Sequence, residues 1–225
     1  MSINQLDWLI NNKEMKKTLL IFAMVALTTV TVFGQNNTDY RRKVSVGLKG
    51  GINLSNVYDS EGEQFNSDAK MGLAGGLFVS IPLGSLFGIQ PEILFSQKGY
   101  QGSGSILGSS YSYKYTSNFV DVPLLIAFKP VSLITILAGP QYSFLVSDKY
   151  VFNSAVVNID QQNEFENDNI RKNILCFVGG ADINFSKIVI GARVGWDIQD
   201  NKGDGTSETP RYKNVWYQAT IGFRF

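Results

Sequence analysis

The amino-acid sequence predicts an all-β chain folded as an eight-stranded antiparallel up-and-down transmembrane β-barrel. Three observations lead there. From Lys43 onward apolar side chains recur with period two, and no stretch keeps helical spacing. The connections between the alternating segments are short and long in turn, which gives a barrel one short-turn edge and one long-loop edge. Ahead of them stands an apolar leader of the kind that exports a chain. The 225 residues, 44% hydrophobic and 17% charged, suffice for one sizeable domain or two small ones.

The leader comes first. Lys16 and Lys17 follow Met15, Leu19 to Leu27 is apolar, and Val32-Phe33-Gly34 ends on a small residue. This is the basic, apolar and small-residue order of a secretory signal peptide, and the run is shorter than the ~20 residues of a spanning helix. The expected division is 1–34 as N-terminal extension and signal peptide, 35–42 as a short N-terminal segment, and 43–225 as the barrel. An uncleaved N-terminal anchor is the competing reading. Asp7 and Glu14 precede the basic pair, so Met1 and Met15 both stand as candidate starts. No cysteine stands at the end of the apolar run, which excludes a bacterial lipoprotein.

Eight strands are expected near 43–54, 70–82, 86–98, 116–129, 131–145, 173–185, 187–198 and 213–225. Each is close to or above the ~9–11 residues that cross a bilayer at a tilt. Short turns fall at Pro82-Leu83-Gly84-Ser85, Lys129-Pro130 and Ser186-Lys187, and long connections at 55–69, 99–115, 146–172 and 199–212. In the last strand Val215, Tyr217, Ala219, Ile221, Phe223 and Phe225 share one face, against Asn214, Trp216, Gln218, Thr220, Gly222 and Arg224. In the first, Val44, Val46, Leu48, Ile52 and Leu54 oppose Ser45, Gly47, Lys49, Gly51 and Asn53. Alternation alone leaves two barrels open: a membrane barrel with the apolar face outside, and a secreted soluble β-barrel that binds a small apolar ligand within. The leader, the large side chains on the apolar face and the crowding they would cause in a narrow lumen favour the membrane.

Composition narrows the chemistry. The chain has no histidine, which removes the commonest general base, the Ser-His and Cys-His pairs and every imidazole metal site. Its one cysteine, Cys176, excludes an internal disulfide and any multi-Cys metal site. Ser67-Asp68-Ala69-Lys70 matches the S-x-x-K of serine acylases, but without a K-T-G partner, at a loop-to-strand junction, the match reads as chance. Asp200 to Gly205 resembles a calcium loop, yet Lys202 and Arg211 occupy ligand positions. We therefore expect no enzyme, no catalytic residue, no cofactor and no metal. Twenty Lys plus Arg against nineteen Asp plus Glu leave no basic excess for nucleic acid.

The candidate site is the lumen. Lys49, Arg193 and Arg224 share the inward face with Glu92, Asp121, Asp182 and Asp197, an expected charge network that plugs the barrel. The four long connections hold twelve acidic against six basic residues, an acidic rim. Tyr100, Tyr111, Tyr113, Tyr115 and Tyr142, with Trp196, are expected to form an interfacial aromatic belt.

The segments VGLKGGINLS, QPEILFSQKGY, FVDVPLLIAFK, LAGPQYSFLV, VGGADINF, IGARVGWDI and IGFRF, in that order across 43–225, resemble the PorT-type outer-membrane β-barrel family of Gram-negative bacteria. The resemblance implies a place in the bacterial outer membrane and an eight-stranded barrel. It also implies a structural or interaction role, with some members tied to protein secretion across the outer membrane. The partners to expect are outer-membrane lipid and lipopolysaccharide, secretion or envelope proteins, and the barrel assembly machinery. By resemblance to outer-membrane barrels generally, Phe223 and Phe225 would form the C-terminal signal that machinery reads.

Overall fold

The computed structural model describes residues 40–59, 67–106, 109–154, 158–164, 172–200 and 212–225. The expected leader, its cleavage point and most of the Asp200–Gly205 loop lie outside them. After a single 3-10 turn at Tyr40–Arg42 come β1 (Ser45–Asp59), β2 (Asp68–Pro82), β3 (Phe87–Ile106), β4 (Ser109–Val131), β5 (Ile134–Ser154), β6 (Asn158–Glu164), β7 (Asn173–Phe185), β8 (Ile188–Asp197) and β9 (Tyr212–Arg224).

All strands but β6 close into an eight-stranded antiparallel ring, in which β5 pairs with β7 and β9 returns to β1. The seam runs from Gly47↔Arg224 to Asp59↔Tyr212, and the Phe225 amide donates to the Val46 carbonyl at 2.9 Å. β6 is additional. It pairs with the outer part of β5, from Ser147↔Glu164 to Asn153↔Asn158.

Three connections expected as loop are partly strand, with 55–59 continuing β1. Residues 99–106 continue β3 and 109–115 begin β4, in register from Gly99↔Thr116 to Ile106↔Ser109, and 147–154 continue β5. Above the membrane both faces of a ribbon meet water, so no apolar alternation marks these segments in the sequence. The prolines sit beside breaks in the ladder. β2 and β3 pass from Phe78↔Glu92 to Ile81↔Ile89 near Pro91, and β4 and β5 from Pro123↔Gln141 to Ile126↔Ala138 near Pro140. Proline supplies no amide to a ladder, which accounts for such positions.

The direction of the two faces decides between the barrels left open by alternation. Leu48, Ile52 and Leu54 on β1, Ile93 and Phe95 on β3, Ile190 and Trp196 on β8, and Tyr217, Ile221 and Phe223 on β9 are exposed. Asn53, Glu92, Arg193, Asp197, Gln218 and Arg224 from the same strands are buried. An exposed apolar girdle around a polar interior is the inverse of a water-soluble barrel and suits lipid. The secreted ligand-binding alternative fails on this orientation.

The inward face is less uniformly polar than the sequence suggests. Phe119, Leu125, Ala127, Leu137, Ile174, Cys176, Val178 and Trp216 form a buried apolar cluster, mostly along β4, β5 and β7. Eight strands leave an interior that side chains fill, so it packs as a core and accepts apolar volume. Large rings lie over strand glycines there. A Cβ at Gly195 would fall 2.3 Å from Trp216 Cζ2, and one at Gly47 the same distance from Phe78 Cζ.

Candidate functional site

The inward residues of β3 serve as a ruler for the lumen: from the short-turn edge outward they are Gln90, Glu92, Leu94, Ser96 and Lys98, followed past Gly99 by Tyr100. Each level meets partners from other strands, and the levels stack.

At the level of Glu92 four charges meet. Lys49 of β1 is ion-paired with Glu92, and Arg193 of β8 lies 2.7 Å from Asp182 of β7 and 4.0 Å from Glu92. Gln90 donates to the other Glu92 oxygen at 2.8 Å. Two positive and two negative charges, each nearly sealed from solvent, neutralise one another, as a buried pair requires. Two levels up, beyond Leu94, Gln218 donates to Asn53 at 2.9 Å, and Asn53 to Ser96 Oγ at 2.8 Å.

Lys98 governs the next level. Its ammonium lies 3.1 Å from Asp121, 3.3 Å from Ser143 Oγ and 3.8 Å from the centre of the Trp216 ring, with the Phe119 ring at 4.8 Å. Carboxylate, hydroxyl and two ring faces together replace its hydration. Nearby, Asp197 accepts from the Asn214 backbone amide at 2.9 Å, from the Asn214 side chain, and from the Cys176 thiol at 3.1 Å.

At the short-turn mouth Arg224 donates to Asn184 at 2.7 Å and lies 4.9 Å from the Tyr40 ring, Asn184 donates to Thr135 at 3.0 Å, and Lys129 donates to Ser80 at 2.9 Å. The seven charges expected as one network thus fall into separate groups. Lys49, Glu92, Asp182 and Arg193 meet; Asp121 pairs with Lys98; among the described residues Asp197 and Arg224 have amide, thiol and ring partners and no ion pair. Lys98 was missed. It carries the same parity as Glu92 and Ser96, so the alternation contained it, but it closes the expected third strand beside a glycine.

The tyrosines also divide differently from the belt expected of them. Tyr142 and Trp196 are exposed on the outer wall. Tyr115 is buried and stacks on Tyr100 at 5.3 Å, and Tyr100 meets Tyr212 edge-on at 5.6 Å. These three cap the lumen from above. The Tyr115 hydroxyl donates to Asp148 at 3.0 Å, and burial, with that carboxylate second, pushes its phenol well above the ordinary value. Burial, then the neighbouring Tyr113 and Tyr150, pushes Tyr100 up to about 12. Tyr115 thus remains a neutral donor to Asp148. Ser67 and Lys70 of the S-x-x-K match bond to Asn56 and to the Met71 carbonyl. Among the described residues no group of three acidic or cysteine side chains is arranged for a metal.

A closed strand ring with lipid-compatible walls and an ion-paired interior defines a transmembrane β-barrel of the outer-membrane class. The family model for the outer membrane protein beta-barrel domain matches residues 33–203, well over half of the chain, and the chain belongs to that family, in the bacterial outer membrane. Among solved structures it is similar to Ail, the attachment invasion locus protein of Yersinia pestis, in complex with the heparin analogue sucrose octasulfate. That match has 16% identity and a TM-score of 0.46, over 81% of this chain and 99% of that one. Neisserial surface protein A is similar at 7% identity and a TM-score of 0.47, over 82% and 100%. The outer membrane protein OprG from Pseudomonas aeruginosa shows 11% identity and a TM-score of 0.39, over 84% and 99%. No curated protein matches the sequence.

Proposed function

We propose that the protein is a non-enzymatic, closed outer-membrane barrel of the PorT type. In this reading it has a structural or interaction role linked to protein secretion or envelope maintenance, and it is exported by a leader cleaved near Gln35. The observation that carries the reading is the obstructed lumen. Side chains reach across it: Arg193 of β8 lies 4.0 Å from Glu92 of β3 on the opposite wall, and the Lys98 ammonium of β3 lies 3.8 Å from the centre of the Trp216 ring of β9. With transport removed, the working surface is the outside: the outer wall, which would meet lipid and lipopolysaccharide, and the segments above it, which would meet secretion or envelope proteins. The missing histidine supports a role without catalysis.

Planar-bilayer recording of the refolded protein tests the reading. The expected result is a silent membrane, and stable single-channel steps of porin size would replace the structural role with solute transport.

The assembly machinery is the remaining partner. Phe223 and Phe225 are exposed on the outer face of β9 with ring centres 5.4 Å apart, an apolar pair open to recognition. Phe225→Ala is expected to lower the heat-modifiable fraction made in cells while leaving refolding from urea into vesicles unchanged. An equal loss in both settings would point to stability alone.

A further inference from the structure

The short-turn edge is basic where the long-loop edge is acidic. Its strand ends and turns, 39–45, 80–88, 128–135, 183–188 and 223–225, carry Arg41, Arg42, Lys43, Lys129, Lys187 and Arg224 against a single acidic side chain, Asp39. Six against one leaves the edge positive however its individual charges are paired. Lys129 and Arg224 are buried in the mouth, on Ser80 and Asn184, while Arg42 and Lys187 are exposed. The turns between these cations are apolar. Leu83 and Leu86 between β2 and β3, and Val131 and Leu133 at the β4–β5 turn, are exposed, Leu83 by 68%. Turns in water are built from small and polar residues, so four bulky aliphatics there carry the girdle past the strand ends and set this edge within the membrane interface. The Lys187 ammonium lies 5.8 Å from the centre of the exposed Phe223 ring, on the outer wall. A cation whose stem runs along an outward aromatic marks the level of the headgroups.

We propose that this edge binds anionic phospholipid of the inner leaflet, with Arg42 and Lys187 on the phosphates and the turn aliphatics among the acyl chains. The two cations flank the end of β9. On one side the Arg224 amide donates to the Lys187 carbonyl at 2.7 Å, and on the other β9 pairs with β1, which Arg42 precedes. A zwitterionic headgroup brings no net charge to such an edge, whereas an anionic one is drawn to it by every Lys and Arg near the surface. Exposed aliphatics between the cations suit acyl chains, where an acidic protein partner would call for a polar rim. The assignment rests on the reading that the girdle spans the outer membrane with its short turns on the periplasmic side. It adds to that reading a lipid held by charge at one edge.

Native mass spectrometry of the refolded full chain in detergent, offered phosphatidylglycerol and phosphatidylcholine in equal amounts, tests it. Wild type is expected to retain phosphatidylglycerol about tenfold better, the scale that two surface cations supply. Arg42→Gln with Lys187→Gln should remove most of that preference, and Arg42→Lys with Lys187→Arg should keep it. Lys114→Gln, on the long-loop side, should leave it unchanged, with every variant folded by heat modifiability. A preference that survives the Gln pair, or that falls with Lys114→Gln, overturns the short-turn edge as the site. Equal retention of both lipids by heat-modifiable wild type overturns the anionic lipid and leaves the membrane barrel standing, whereas a chain that stays folded and soluble without detergent would overturn the barrel reading itself.

Discussion

Lys98→Ala is expected to destabilise the barrel by about 3–5 kcal/mol, because it strips the partner from a carboxylate that cannot reach water. Both side chains of the Lys98–Asp121 pair are 1% exposed. The substitution also empties the space between the Trp216 and Phe119 rings, which adds a cavity cost. The informative comparison is the double variant Lys98→Met with Asp121→Leu. Replacing a buried pair by apolar groups of similar volume is often neutral or stabilising, so most of the lost stability should return. Urea unfolding in lipid vesicles, followed by tryptophan fluorescence, measures both. If the single variant lost less than about 1 kcal/mol, within the range of exposed pairs, the sealed environment of Lys98 would be wrong.

Ile221→Arg should cost about 2–4 kcal/mol, the penalty for a cation on the lipid face of a barrel near the bilayer midplane. Ile221 is 66% exposed and sits opposite Gly50, midway along the outward run from Val44 to Leu54 of β1. Its neighbour Thr220 faces the lumen and is buried. In vesicles Ile221→Leu should unfold at the wild-type urea midpoint and Ile221→Arg well below it. Equal midpoints for Ile221→Arg and wild type would mean that this face does not meet hydrocarbon.

Where one face of a strand meets lipid, sequence alone resolves it. On β9 polarity alternates from Gln218 to Arg224, because a one-residue slip would put charge into hydrocarbon and Ile221 into the lumen. The number of ring strands was legible for the same reason. The extensions of β3, β4 and β5 were not, since Tyr113, Ser112 and Gly102 have water on both sides and any alternation is silent there. Within the lumen, parity places Lys49, Glu92 and Arg193 on one face but does not say at what height each stands. Strand stagger decides that Asp197 meets Asn214 and Cys176 instead of a cation, and that Lys98, not Arg224, reaches Asp121. Stagger is a property of pairs of strands, invisible along any one of them. Tyr100 and Tyr115 misled for a related reason: near a membrane surface an aromatic suits the belt or the cap equally, and only the inward parity of Tyr115, shared with Ser117 and Phe119, separates the two.

The joint between β1 and β9 also governs the order of folding. Gln218 bonds to Asn53 across 165 residues of sequence, and β1 has its second neighbour only once β9 exists. Until then the growing ribbon has two raw margins, and in hydrocarbon each unpaired amide and carbonyl along them costs several kcal/mol. A nascent chain therefore gains nothing by inserting hairpin by hairpin. The low-energy route keeps the polypeptide out of the bilayer until synthesis is complete, then lets closure and insertion occur together, a slow step of high contact order. Barriers of that kind act in both directions: once sealed, the ring has no end from which to fray, and its lifetime in the membrane is set by the cost of breaking the whole joint at once.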